Sequence, residues 1–175
     1  WSIENQAALL EQKSTTFVAV GDVALSFCME TAPEISGVFL MLTSNQLVTQ
    51  AESSGKWKGA KVWVEPEIQF QTIRRLMPDI KVVGIVLTPL CSSRKEALNV
   101  AASQYGLKLN VIQTEERRQI IPAMKQVYQE SDAYLLLPDP NLLNDIIFQE
   151  LLRLQHEYQR PLIGPAVPFV RMGAM

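Results

Sequence analysis

"KVVGIVLTPLCSSRKEALNVAASQYGLKLNVI", residues 81–112, decides the fold. An apolar run from Val82 to Leu87 stops at Thr88-Pro89. A polar turn and a helical pattern over 92–105 follow, then Gly106 as a C-cap and a second apolar alternation over 108–113. This is one β-α-β unit. In an open parallel sheet, the turn at the carboxyl end of the first strand is where ligands bind, which draws attention to Leu90-Cys91-Ser92-Ser93.

The same alternation extends in both directions. Upstream, Ile3, Ala7 and Leu10 have helical spacing, 15–21 reads as a buried strand, and 22–32 reads as a short helix with Asp22 as candidate N-cap. A second strand spans 36–44, residues 45–59 look polar and loop-like, and a short strand over 60–66 is stopped by Pro66. An amphipathic helix over 65–79 ends at Pro78-Asp79. Downstream come a helix over 117–130, a strand over 133–137, a helix over 140–158, a strand over 161–164 and the start of a helix in "PFVRMGAM". Continuous apolar strands separated by helices predict an α/β fold, a doubly wound parallel sheet covered on both faces. The pattern restarts after 60–66, so we expect a partial N-terminal α/β lobe at 1–64 and a C-terminal α/β lobe at 65–175, with a hinge near 64–66.

Composition narrows the function. The chain has 175 residues, is 47% hydrophobic and 19% charged, and carries a net charge of −2. No basic cluster exceeds a pair such as Arg74-Arg75 or Arg117-Arg118, which argues against nucleic acid as a partner. No apolar run reaches the roughly 18 residues of a membrane span. The opening "WSIENQAALL" has no basic n-region and no initiating Met, which reads as a processed chain or an excerpt. Two cysteines, Cys28 and Cys91, are too few for a disulfide framework, though they could pair in an extracytoplasmic chain. A single His, His156, at a helix end, leaves no metal cluster or acid-base arrangement. GxGxxG, GxxxxGK[ST] and GxSxG are absent, so we expect no enzyme, no metal and no cofactor. Trp57 and Trp63 read as packing residues more than as ligand stackers, and Arg117-Arg118 as a solvated face more than as an anion clamp.

The informative residues are positional. Strands end at Gly21-Asp22, Thr43-Ser44-Asn45, Thr88 through Ser93, Pro138 through Asn141, and Gly164 through Val167. All these loops lie on carboxyl edges. If two lobes face each other across those edges, small hydroxyls, amides and helix N-terminal N–H groups line one cleft suited to a polar small molecule.

Several segments resemble the ABC-transporter substrate-binding family of type I periplasmic binding proteins. "VEPEIQFQTIRRLMPDIKVVGIVLTP" is similar to that family's hinge region, where a helix ending LxP leads into xxVGVLYNP. "FVAVGDVAL" is similar to IVAIGTPAA, "SDAYLLLPDPNLL" to DAIYVPTDNxV, and "QRPLIGPAVPFVRMGAM" to IPVFASDxxxVxxGAL. The likeness runs over roughly 6–175 and rests on the order and spacing of these segments. The resemblance implies two Rossmann-like lobes, incomplete here at both ends, and an extracytoplasmic receptor, periplasmic or lipid-anchored outside the cytoplasmic membrane. It also implies a permease partner and an amino-acid-like ligand by family default. Carried over by position, the ligand contacts are Gly21, Asp22, Thr43, Ser44, Asn45, Thr88, Ser92, Ser93, Asp139 and Asn141. Two departures stand out. Pro165-Ala166 replaces the family's Ser-Asp, and Ala166 cannot act as a carboxylate; Pro140 enters the helix start of the PTDN loop. The alternative expectation is a binding-protein fold with a degenerate cleft, acting as a protein-interaction or sensory module.

Overall fold

The computed structural model describes residues 16–175, so the helical spacing at Ile3, Ala7 and Leu10 lies outside the described residues. The chain divides into two compact units, Trp1–Trp63 and Val64–Met175.

In the first unit, β1 (Thr16–Val20), β2 (Ser36–Leu42) and β3 (Trp57–Lys61) form a parallel sheet in the order β1-β2-β3. Helices α1 (Asp22–Thr31) and α2 (Asn45–Ser53) are its crossovers. Both connections step in the same direction, so right-handedness sends both helices to one face. There Ala19, Leu25, Phe39, Leu42, Val48, Ala51 and Trp57 form the core. The opposite face carries Val18 and Val20, 65% and 56% exposed, beside Val38 and Leu40. Coverage on both faces, expected from sequence, therefore does not hold for this sheet among the described residues.

Three boundaries also differ from the sequence reading. Residues 45–53, read as a loop, are helix α2, capped by Ser44 Oγ, which accepts from Leu47 N at 3.3 Å. Strand β3 begins at Trp57, not at 60, and the apolar Val62-Trp63-Val64 follows it. Trp63 instead docks by donating its indole N–H to Thr43 O at 3.0 Å. Asp22 is not the N-cap of α1. That position is Gly21, at φ 85°, a backbone angle only glycine adopts without strain, and Asp22 is the first helical residue.

In the second unit, β4 (Val82–Leu87), β5 (Lys108–Gln113), β6 (Ala133–Leu135) and β7 (Leu162–Ile163) are all parallel, in the order β5-β4-β6-β7. Helix α3 (Pro66–Leu76) precedes β4, and α4 (Lys95–Gln104), α5 (Ile120–Glu130) and α6 (Asp145–Tyr158) connect the strands, with α7 (Val167–Arg171) after β7. The step from β4 to β5 runs one way and the step from β5 to β6 runs back past β4. The direction reverses, so the crossover helices lie on opposite faces. Every residue of β4 from Val83 to Leu87 is accordingly buried. Val86 joins Met124, Val127, Tyr128, Tyr134, Phe148 and Leu151 in one cluster; Val83, Ile85 and Leu87, of opposite parity, are buried with Phe70, Ile73, Leu98 and Ala101 available on α3 and α4. The helix expected over 92–105 starts as a 3-10 turn, Pro89–Arg94, and becomes α-helical only at Lys95. The helix expected from 140 starts at Asp145, because Asn144 is the cap that accepts from Ile147 N at 3.1 Å. Pro140 thus sits in the preceding turn and does not interrupt the helix. Cys28 and Cys91 are both free thiols.

The amino edge of β4 is held by a carboxylate. One Asp132 oxygen accepts from Lys81 N at 2.9 Å and Val82 N at 2.8 Å. Burial alone would raise the Asp132 pKa, but those two donors and the Arg160 and Lys81 charges outweigh it and hold the group below its usual range. A carboxylate depressed in the native state stabilises above its unfolded pKa, and that stability is lost as pH falls through the native value. Asp132→Asn is therefore expected to flatten stability against pH below about 4, in urea melts compared with the parent. Parallel pH curves for the two proteins would contradict this.

Candidate functional site

In the second unit the sequence direction reverses between adjacent strands β4 and β6. The crevice at the carboxyl ends of these strands is the topological switch point, where open α/β sheets bind ligands. The structure places Thr88 at the end of β4 and Asp139 beyond β6, and joins them directly. Thr88 Oγ1 donates to Asp139 Oδ2 at 2.5 Å, and the Asn141 N–H donates to Asp139 Oδ1 at 2.8 Å. Asp139 is completely buried and Thr88 is 3% exposed. The carbonyl of Asp139 accepts from Leu142 N and Leu143 N at 2.8 and 2.9 Å, which closes the turn into α6. Cys91, buried beside this carboxylate, has its thiol pushed up, first by desolvation and then by the Asp139 charge and hydrogen bond. It stays protonated at neutral pH, which argues against a nucleophilic role.

Beside this brace lies a cavity of about 210 Å³, walled by the loop after β4 (Thr88, Pro89, Leu90), the loop after β5 (Thr114 through Arg117, with Ile120) and Asn141. It is smaller than the roughly 300–1,000 Å³ of drug-sized sites and suits a small metabolite. A second hollow of about 260 Å³ is lined by Gln155, His156, Gln159, Arg160, Pro161 and Met175. Pro161 precedes β7, which puts that hollow at the amino edge, away from where this topology binds ligands.

Of the residues singled out from sequence, Thr88, Asp139 and Asn141 come together here. Ser92 and Ser93 do not line the cavity: both are exposed on the 3-10 turn, and Ser92 Oγ donates back to Pro89 O at 2.9 Å. In the first unit the set also converges. Asp22 Oδ1 accepts from Thr43 N at 3.0 Å and Ser44 N at 3.3 Å, and Thr43 Oγ1 donates to Asp22 Oδ2. Gly21 N–H donates to Leu40 O at 2.9 Å, and Asn45 opens α2. Each unit therefore has one Thr-Asp bond tying two strand ends on its carboxyl edge.

Sequence reading left the loop after β5 out of its strand-end set and took Arg117-Arg118 for a solvated face more than an anion clamp. Thr114-Glu115-Glu116-Arg117 follows a strand as the other loops do, and that position was the available signal. Among the described residues no group of His, Cys, Asp and Glu could hold a metal ion, and no helix is long and apolar enough to cross a membrane.

No family model matches the chain, and none of the curated proteins does. Solved structures do. A conserved domain protein from Vibrio cholerae O1 biovar eltor superposes with a TM-score of 0.72 at 20% identity, over 96% of this chain and 58% of that one. An ABC domain in complex with L-Trp from Streptococcus pneumoniae gives 0.68 at 13% identity, over 98% of this chain and 60% of that one. A ligand-free, open substrate-binding protein with adhesive properties from Clostridium difficile gives 0.68 at 14% identity, over 93% and 57%. The fold is type I periplasmic-binding-protein-like. The chain spans less than two thirds of the length of these structures. Within this binding-protein fold, the Thr88-Asp139 crevice lies at the carboxyl edge of one α/β unit.

Proposed function

We propose that this chain belongs to the solute-binding component of an ABC importer. It captures a small polar molecule, amino-acid-like in size and charge, and hands it to a permease. The observation that carries this reading is the cavity at the switch point, walled by strand-end loops and braced by a buried carboxylate. The complex of one structural neighbour with L-Trp supports the ligand class. The reading places the protein outside the cytoplasmic membrane, free in the periplasm or lipid-anchored, and gives it no catalytic step and no cofactor. The loops proposed to meet the solute are those carrying Thr88 and Asn141, on the wall of the second unit's cavity, and Asp139 braces both.

The test is a thermal-shift screen of the full protein against amino acids, nucleosides, small peptides and aromatic acids. Ligand binding to the native state alone adds RT ln(1 + [L]/Kd), about 2.7 kcal/mol at a hundredfold excess over Kd. We expect a concentration-dependent rise for one class. A cooperative melt that no millimolar solute shifts would favour the second reading, a degenerate binding-protein fold acting as a protein-interaction or sensory module. The apolar sheet face at Val18, Val20, Val38 and Leu40 supports that reading.

A further inference from the structure

Half of the polar side chains around the cavity are already engaged. The Thr88 hydroxyl donates to Asp139, the Thr114 hydroxyl reaches Leu87 O at 3.4 Å, and Glu116 is paired with Arg118 at 2.5 Å. Three groups on the wall have no hydrogen-bond or ion-pair partner among the described residues: the Glu115 carboxylate, the Arg117 guanidinium and the Asn141 side-chain amide. Two of these carry opposite charge and are not paired with each other.

Their placement follows from the backbone. Glu116, between them, is extended at φ −126° and ψ 147°. The chain bends at Glu115 and Glu116 and enters the 3-10 turn at Arg117, and Glu115 and Arg117 both line the cavity. Buried Thr114 fixes one end of this arm and buried Ile120 the other. Gln119 Oε1 accepts from Glu115 N at 2.9 Å and Glu116 N at 3.1 Å, so the arm is held before any ligand arrives. A lone carboxylate would select a cation and a lone guanidinium an anion. Opposite charges on one wall select a ligand that carries both. Leu90, Pro89 and Ile120 supply an apolar surface for the remainder of such a ligand.

We propose that Glu115 and Arg117 are the charge-reading pair of this cavity, taking the ammonium and the carboxylate of one zwitterionic ligand of amino-acid size. The assignment rests on the cavity being the solute site proposed above. Arg117 gives the bidentate match to a carboxylate that a lysine could not. The Asn141 amide is left to orient the ligand's carbonyl or side chain.

The experiment is isothermal titration of the full protein with each proteinogenic L-amino acid, then with the methyl ester and the N-acetyl derivative of any that binds. Both derivatives are expected to bind at least about tenfold more weakly than the parent. Arg117→Ala is expected to weaken the parent amino acid by about tenfold to a hundredfold and to leave the methyl ester unchanged, because the ester has no carboxylate to lose. Glu115→Gln should weaken the parent similarly and leave the N-acetyl derivative unchanged. Both residues are exposed, so neither change threatens the fold. An amino acid that binds both variants within twofold of the parent protein overturns the charge-reading pair and leaves solute binding standing. Binding of an uncharged or singly charged solute with no amino acid bound does the same. No binding of any solute overturns the site reading together with it.

Discussion

Asp139→Ala is expected to lower folding stability by about 3–5 kcal/mol, read as the shift in a urea melt of the full protein. The carboxylate is completely buried and accepts from Thr88 Oγ1 at 2.5 Å and Asn141 N at 2.8 Å. Charge-assisted hydrogen bonds contribute about 1.5–3 kcal/mol each, and their loss leaves the buried Thr88 hydroxyl without its acceptor. Asp139→Asn keeps the shape and one acceptor oxygen, and the rotatable Thr88 hydroxyl can turn to accept from the new amide, so about 1–2 kcal/mol is expected there. Thr88→Val alone should cost less than Asp139→Ala, and the double variant should cost less than the sum, because both remove the same bond. An alanine variant within about 1 kcal/mol of the parent would show that this brace does not hold β4 and β6 together. The consequence for function is specific. The family resemblance made Asp139 a solute contact. Its geometry makes it the support of the loops that line the cavity, so affinity lost in Asp139→Ala has to be measured on the folded fraction, whereas affinity lost in Arg117→Ala does not.

The second unit was legible because β4 and β6 are buried on both faces and read as unbroken apolar runs. Val82–Leu87, Lys108–Gln113 and Ala133–Leu135 all fall within one or two residues of where the hydrophobicity places them. The first unit was less legible for the opposite reason. Helix α2 buries little more than Val48 and Ala51, so "NQLVTQAES" carries almost no apolar stripe, and its cap, Ser44, looks like any loop serine. Strand β3 has only Trp57 buried, and the apolar Val62-Trp63-Val64 just beyond it pulled the expected strand out of place. At the site, periodicity names which loops follow strands but says nothing about which polar groups are already spent. Thr88, Asp139 and Asn141 converge as their positions suggested. That Asp139 faces inward depends on a hydrogen bond to Thr88, 51 residues away, and that Glu115 and Arg117 have no partner among the described residues depends on local pairing such as Glu116 with Arg118.

Gly84→Ala is expected to cost about 3 kcal/mol or more, and to leave the second unit unfolded at physiological temperature if the core cannot move. Gly84 lies in the middle of β4, the strand paired on both sides. A Cβ there would stand 2.1 Å from Val127 Cγ1 and 2.5 Å from Ser131 Oγ. Neither neighbour yields easily. Val127 is completely buried on α5, where a valine has one strongly preferred rotamer. Ser131 is held by accepting from the Asn110 side-chain amide at 3.1 Å. Relief therefore requires α5 to move outward from the sheet, opening a packed core along Met124, Tyr128 and Leu151. Both clashes are with side chains, so the closer one, with Val127, can be removed deliberately. Val127→Ala alone should cost about 2–3 kcal/mol by leaving a cavity, yet Gly84→Ala with Val127→Ala should be more stable than Gly84→Ala alone, because the new methyl partly fills the space the valine vacated. Circular-dichroism melts of the three variants read this directly. A Gly84→Ala protein melting with the parent, or a double variant whose losses simply add, would mean that α5 does not approach β4 this closely. The strand ends carrying Thr88 and Asp139 would then lack the fixed spacing on which the cavity depends.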